Sequence, residues 1–137
     1  MAVVEKLIRA EKTGELSFGN YKLAEKAKLD DFKVGGDLYK VKTCKEITKL
    51  EKNGLFVYES VPGTTAIGFL ETGDGVKFTV SGDEDAQITL GLEDGAKYDV
   101  MINGEDAGVI ETNLGGKLTL SVELNEDSDV AVIVKRK

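Results

Sequence analysis

The chain of 137 residues has no histidine and no tryptophan, a single cysteine, a single proline and only two arginines, Arg9 and Arg136. Without imidazole there is no Ser-His or Cys-His nucleophile pair, no histidine metal ligand and no ordinary proton shuttle at neutral pH. With Cys44 alone, a structural zinc site of the usual ligand type cannot be built, and no internal disulfide is possible, so no oxidising compartment is implied. No stretch approaches the ~20 apolar residues of a membrane-spanning helix. Glu5, Lys6 and Arg9 fall where a signal peptide needs an apolar run. A cytoplasmic protein is the expectation. The phosphate-cradling pattern G-x-x-x-x-G-K-[ST] is missing too. One proline beside 16 glycines suits tight hairpins and argues against a disordered, proline-rich tail.

The positive signal is a beat of short β-prone runs closed by turn chemistry. Val76–Val80 ends at Ser81-Gly82-Asp83, Gln87–Leu90 at Glu93-Asp94-Gly95, Tyr98–Ile102 at Asn103-Gly104, and Lys117–Leu124 at Asn125-Glu126-Asp127; Val130–Val134 closes the series. Several short strands at such spacing predict an all-β sandwich or barrel. Inward-facing parity falls to Phe78, Val80, Ile88, Leu90, Val100, Ile102, Leu118, Leu120, Val122, Val132 and Val134, because one pleat face must carry every second residue.

The first half has its own hairpins. Gly35-Gly36 and Asn53-Gly54 each separate two alternating runs, and such pairs favour primed turns. From Leu38 to Thr43 the alternation puts Leu38, Lys40 and Lys42 on one face and Tyr39, Val41 and Thr43 on the other, with Tyr39 and Val41 marking the buried side. Two segments are ambiguous. Val4, Leu7 and Ile8 fit a helical stripe too short to stand alone; a strand turning at Thr13-Gly14 is favoured. Leu23–Asp31 has helix-forming Ala and Lys but no convincing stripe. Pro62-Gly63 interrupts any central strand, and the charge balance changes there. Residues 1–60 carry 12 Lys or Arg and 10 Asp or Glu (+2), whereas residues 61–137 carry 6 and 15 (−9). The expected organisation is therefore an N-terminal β-hairpin module over 1–62 and a small β-sandwich module over 63–137.

Candidate chemistry is sparse. Paired carboxylates can hydrolyse glycosides only at a defined separation in a cleft, and so many surface acids read as solvation. Asp83-Glu84-Asp85 and Glu126-Asp127-Ser128-Asp129 could offer oxygens to calcium but match no EF-hand loop and suit hairpin tips. Lys42 and Lys45 near Cys44 could activate its thiol, although a small half-buried residue is the simpler role. Tyr21, Tyr39, Tyr58 and Phe56 could stack on a ligand, or serve as core and strand-pair partners. The acidic second half repels phosphate, so nucleic acid is not an expected partner. Lys40, Lys42, Lys45, Lys49 and Lys52 alternate with Asp37, Glu46 and Glu51 as on a solvated sheet face.

Two resemblances follow from particular stretches. Tyr98–Gly104, Gly108–Asn113 and Gly116–Val122 together resemble the closing strands of fibronectin- or immunoglobulin-like modules, which are often appended to glycan-active proteins. Gly14–Tyr21, Gly36–Thr43, Ile47–Gly54 and Tyr58–Thr64 are similar to small clostridial-type proteins labelled endosialidase. That likeness implies a bacterial origin of the Gram-positive anaerobe type. It brings no site, because two arginines cannot form the cluster that holds a sialic acid carboxylate.

These readings lead to a non-enzymatic β protein with no catalytic residue, cofactor or metal. Its expected role is association with itself, as a homo-oligomer or filament, or with another protein. Lys40, Lys42, Lys45, Lys49, Tyr39 and Tyr58 are the candidate interaction residues. Opposite charge in the two halves favours head-to-tail contact. The alternative is a small glycan- or ligand-binding module.

Overall fold

The computed structural model describes residues 3–137; Met1 and Ala2, the start of the N-terminal segment, lie outside the described residues. Every described element is a strand. In chain order they are β1 (Ile8–Ala10), β2 (Leu16–Phe18), β3 (Ala27–Val34), β4 (Asp37–Thr43), β5 (Thr48–Lys52), β6 (Leu55–Val61), β7 (Thr65–Thr72), β8 (Gly75–Ser81), β9 (Ala86–Gly91), β10 (Lys97–Ile102), β11 (Glu105–Glu111), β12 (Lys117–Val122) and β13 (Val130–Arg136). The all-β expectation holds, and the two ambiguous segments contribute strands, β1 and β3.

Turn chemistry sets the hairpins. Asn53 and Gly54 have φ of 52° and 80°, and Asn103 and Gly104 have 52° and 79°. Both central residues are thus left-handed, as a two-residue primed turn requires. The flanking pairs Lys52↔Leu55 and Ile102↔Glu105 close directly on them. Each Asn side chain also reaches beyond its turn: Leu38 N–H donates to Asn53 Oδ1 at 2.9 Å and Ala131 N–H to Asn103 Oδ1 at 2.8 Å.

Two antiparallel sheets result. The seven-stranded sheet runs β1-β2-β7-β8-β13-β10-β11, and the six-stranded sheet runs β12-β9-β6-β5-β4-β3. Strands of residues 1–62 and of residues 63–137 therefore occur in both layers, and one apolar cluster joins Leu16, Val41 and Tyr58 to Val80, Ile88 and Val132. The position expected to divide two modules, Pro62, marks a crossing from the smaller sheet (β6) to the larger (β7). A proline and a glycine end a strand there as anticipated, but the chain beyond them continues in the same sandwich. The expected hairpin module has no layer of its own.

The inward set read from parity is buried throughout, apart from half-buried Ile102. Tyr58 from the smaller sheet inserts among Phe18, Phe69 and Phe78 of the larger one, with ring centroids 5.1–6.1 Å away and interplanar angles of 83–88°. Edge-to-face geometry of this kind stabilises an aromatic cluster beyond area burial alone.

Candidate functional site

The smaller sheet brings three of the four predicted lysines together. Lys42 stands opposite Lys49 across β4–β5, Lys40 stands opposite Glu51, and these four residues surround a hollow of about 20 Å³. Lys28 on β3 pairs with Lys42 from the other side, and Glu59 on β6 follows Lys49. The outer face thus carries Lys28, Lys42 and Lys49 in one cross-strand row. Like charges directly opposed across strands destabilise a sheet. Among the described residues none of Lys28, Lys40, Lys42 and Lys49 lies within 4 Å of a carboxylate. The row is held out toward solvent at a local cost.

Sequence reasoning missed Lys28. Extending the Gly35-Gly36 hairpin register would put it opposite inward-facing Thr43. A shift between Leu29 and Phe32, with Asp31 at φ 56°, turns it outward instead. Only the paired Asp30-Asp31 hints at that bulge, since Asp tolerates the left-handed region better than most residues.

The other predicted residues sit elsewhere. Lys45 lies in the β4–β5 turn, where its N–H donates to the Leu23 carbonyl (2.7 Å) and its carbonyl accepts from Gly63 N–H (2.9 Å). Chain crosses chain so closely here that a Cβ on Gly63 would fall 1.9 Å from the Cys44 carbonyl oxygen. Cys44 itself is buried. Tyr39 faces the core, opposite Lys52, which reaches Asp37 and Glu71 at 3.7 Å each.

Tyr58 is not a surface residue; it is 0% exposed. Its hydroxyl and the Thr64 hydroxyl are 2.6 Å apart, and Ser60 Oγ is 2.7 Å from the same Thr64 oxygen. Thr48 donates to the Thr64 carbonyl at 2.7 Å and accepts from Thr64 N–H at 3.1 Å. Its oxygen also lies 2.8 Å from that of Thr43, which accepts from Asn20 N–H at 2.9 Å. These hydroxyls tie β4, β5 and β6 to the crossing at Thr64. Among the described residues no buried side-chain nitrogen or oxygen is left unpaired.

Burial pushes the Tyr58 phenol up to about 12, against which the hydrogen bonds with Thr64 and Ser60 act in the opposite direction. In the unfolded chain a tyrosine ionises near pH ~10. The folded state therefore holds this proton more tightly, and the stability it contributes is intact below pH ~10 and lost as pH rises through about 12. The loss is about 2–3 kcal/mol at ~1.36 kcal/mol per pK unit. Denaturant titrations between pH ~9 and ~12 should show it, with Tyr58→Phe flattening the fall.

The acidic tips are engaged locally. Asp83 pairs with Lys22 at 2.9 Å, Asp85 accepts from Leu124 N–H at 3.0 Å, and Asp129 accepts from Ser81 Oγ at 2.7 Å. These bonds draw the β8–β9 and β12–β13 loops into one acid-rich end. Among the described residues no three metal-ligating side chains are grouped to hold an ion. Lys52, Leu55, Phe56, Glu71, Gly91 and Lys117 border an open groove of about 500 Å³. The Lys117 ammonium lies 4.8 Å above the Phe56 ring, a cation–π contact the sequence did not signal.

The fold and these surfaces define an antiparallel two-sheet β-sandwich with a lysine row on one outer face and carboxylates gathered in two loops. Comparison with protein-family models, with curated proteins and with solved structures returned no match. Among the described residues no helix is long and apolar enough to cross a membrane.

Proposed function

We propose that this chain is a non-enzymatic structural protein, bacterial and cytoplasmic, that associates with copies of itself. The observation that carries this reading is the separation of charge. Among the described residues, the row of Lys28, Lys42 and Lys49 has no carboxylate within 4 Å. Asp83, Glu84 and Asp85 of one loop join Glu123, Glu126, Asp127 and Asp129 of the other at the acid-rich end. Seating the lysine row of one copy on the acidic loops of the next joins two different surfaces, and a heterologous contact of that kind builds rings or filaments.

Surface attraction of this type is screened beyond about 8 Å at physiological salt. Sedimentation at tens of micromolar should therefore show mass growing as salt is lowered, and Lys42→Glu should abolish that growth. A mass that stays the same from low to high salt would overturn the reading. The ligand-binding alternative loses its tyrosine face, because Tyr21, Tyr39, Tyr58 and Tyr98 are all buried.

A further inference from the structure

Asparagine is among the chemically labile side chains of a protein. The backbone nitrogen of the next residue can attack its Cγ, and glycine leaves that approach unhindered because it has no side chain. Of the five asparagines, Asn20, Asn113 and Asn125 precede Tyr21, Leu114 and Glu126, whose side chains crowd the attacking nitrogen. Asn53-Gly54 and Asn103-Gly104 remain, and both turns are exposed.

The fold treats these two turns differently. The Asn53 amide is held at both ends: Oδ1 accepts from Leu38 N–H and Nδ2 donates to Asp37 Oδ1, each at 2.9 Å. At Asn103 only Oδ1 is held, by Ala131 N–H at 2.8 Å. Among the described residues nothing accepts a bond from the Asn103 Nδ2. Turning Cγ toward the following nitrogen breaks one bond at Asn103 and two at Asn53. The strands differ as well. β5 and β6 lie inside the smaller sheet, flanked by β4 and β9, whereas β11 is an outer strand of the larger one. β11 also shifts register against β10 and is exposed from Glu105 through Val109. A hairpin with so little buried opens locally at lower cost than one inside a sheet.

We propose that Asn103 is a site of spontaneous covalent modification, where the folded chain converts its β10–β11 turn to aspartyl and isoaspartyl forms ahead of Asn53. The Gly104 nitrogen gives its proton to solvent and bonds to the Asn103 Cγ. The bond from Cγ to Nδ2 breaks, and Nδ2 takes a proton from water and leaves as ammonia. Water then opens the cyclic imide. Cleavage between the Gly104 nitrogen and Cγ gives aspartate in the ordinary linkage. Cleavage between that nitrogen and the Asn103 backbone carbonyl carbon gives isoaspartate, with the chain running through Cβ and Cγ. The aspartyl product keeps an oxygen for Ala131 N–H, so the hairpin survives with one more negative charge. The isoaspartyl product adds a methylene to the backbone, and the two-residue primed turn no longer closes Ile102 on Glu105. β11 then loosens from β10, and the backbone edge it covers is opened.

The test is incubation of the intact protein in mildly alkaline buffer, then tryptic digestion and mass spectrometry with fragment ions that separate Asn103 from Asn113. Conversion of amide to acid at Asn103 should run about tenfold faster than at Asn53, as expected when one hairpin opens more readily than the other. In concentrated urea the two rates should become equal, because the Asn-Gly sequence is shared and only the fold separates them. Asp37→Ala frees the Asn53 Nδ2 and should raise conversion there severalfold, with Asn103 unchanged. Asn103→Asp should fold with the same circular dichroism and end ammonia release from this turn. The isoaspartyl form, separated by chromatography, should exchange its β11 amides faster than the aspartyl form does. Asn53 converting as fast as Asn103 in the native chain, a difference that persists in urea, or an Asn103 that stays intact would overturn the proposal.

Discussion

Replacing Tyr58 with alanine is expected to lower the unfolding free energy by about 3–5 kcal/mol, the range for removing a large aromatic side chain from a core. The ring is fully enclosed and packs against three phenylalanines of the opposite sheet, Phe18, Phe69 and Phe78. These residues come from β2, β7 and β8, so no single element can move to fill the space. A packed interior relaxes only in part around such a cavity. The hydroxyl contributes separately. Tyr58→Phe keeps the ring and removes one bond to Thr64, which still has Ser60 at 2.7 Å, and about 1 kcal/mol is expected. Urea unfolding of both variants measures the two parts. A cost below about 1 kcal/mol for Tyr58→Ala would mean that the two sheets do not meet at this ring.

Much of this fold was legible from local chemistry. Asn53-Gly54 and Asn103-Gly104 specify their hairpins because both central residues must adopt positive φ, and that requirement is local. The face carrying Tyr39, Val41 and Thr43 was legible because a strand has a period of two. Long-range pairing was not. Nothing in β6 announces that its second neighbour is β9, or in β8 that it lies beside β13. Those choices depend on closing long loops around a shared core, which no short pattern encodes. Pro62 was read as a boundary for the same reason: a proline ends a strand, but local chemistry does not say whether the chain then leaves the domain or changes sheet.

The lysine row was legible in part. Lys40, Lys42 and Lys49 share parity on two strands joined by a turn, so their convergence follows from alternation and one register. Lys28 did not follow, because a bulge reverses parity beyond it. Tyr58 misled for a different reason. Thr43, Thr48, Ser60 and Thr64 look polar in sequence, yet they bond with one another inside the sandwich. Buried hydroxyls that satisfy each other carry no hydropathy signal.

Leu120→Ala is expected to cost about 2–5 kcal/mol, as for other buried leucine truncations. The residue is 5% exposed and stands opposite Ile88 in the β12–β9 ladder. Its neighbours in parity, Leu118 and Val122, are also buried, whereas Thr119 and Ser121 are exposed. A register slip of one residue would invert that whole set, putting three apolar side chains in water. The control is therefore Thr119→Ala, on the opposite face of the same strand, which should stay within about 0.5 kcal/mol of the native protein. If Thr119→Ala proves the more costly of the two, the strand faces the other way. A large loss confined to Leu120→Ala fixes β12 with Leu118, Leu120 and Val122 on its core side.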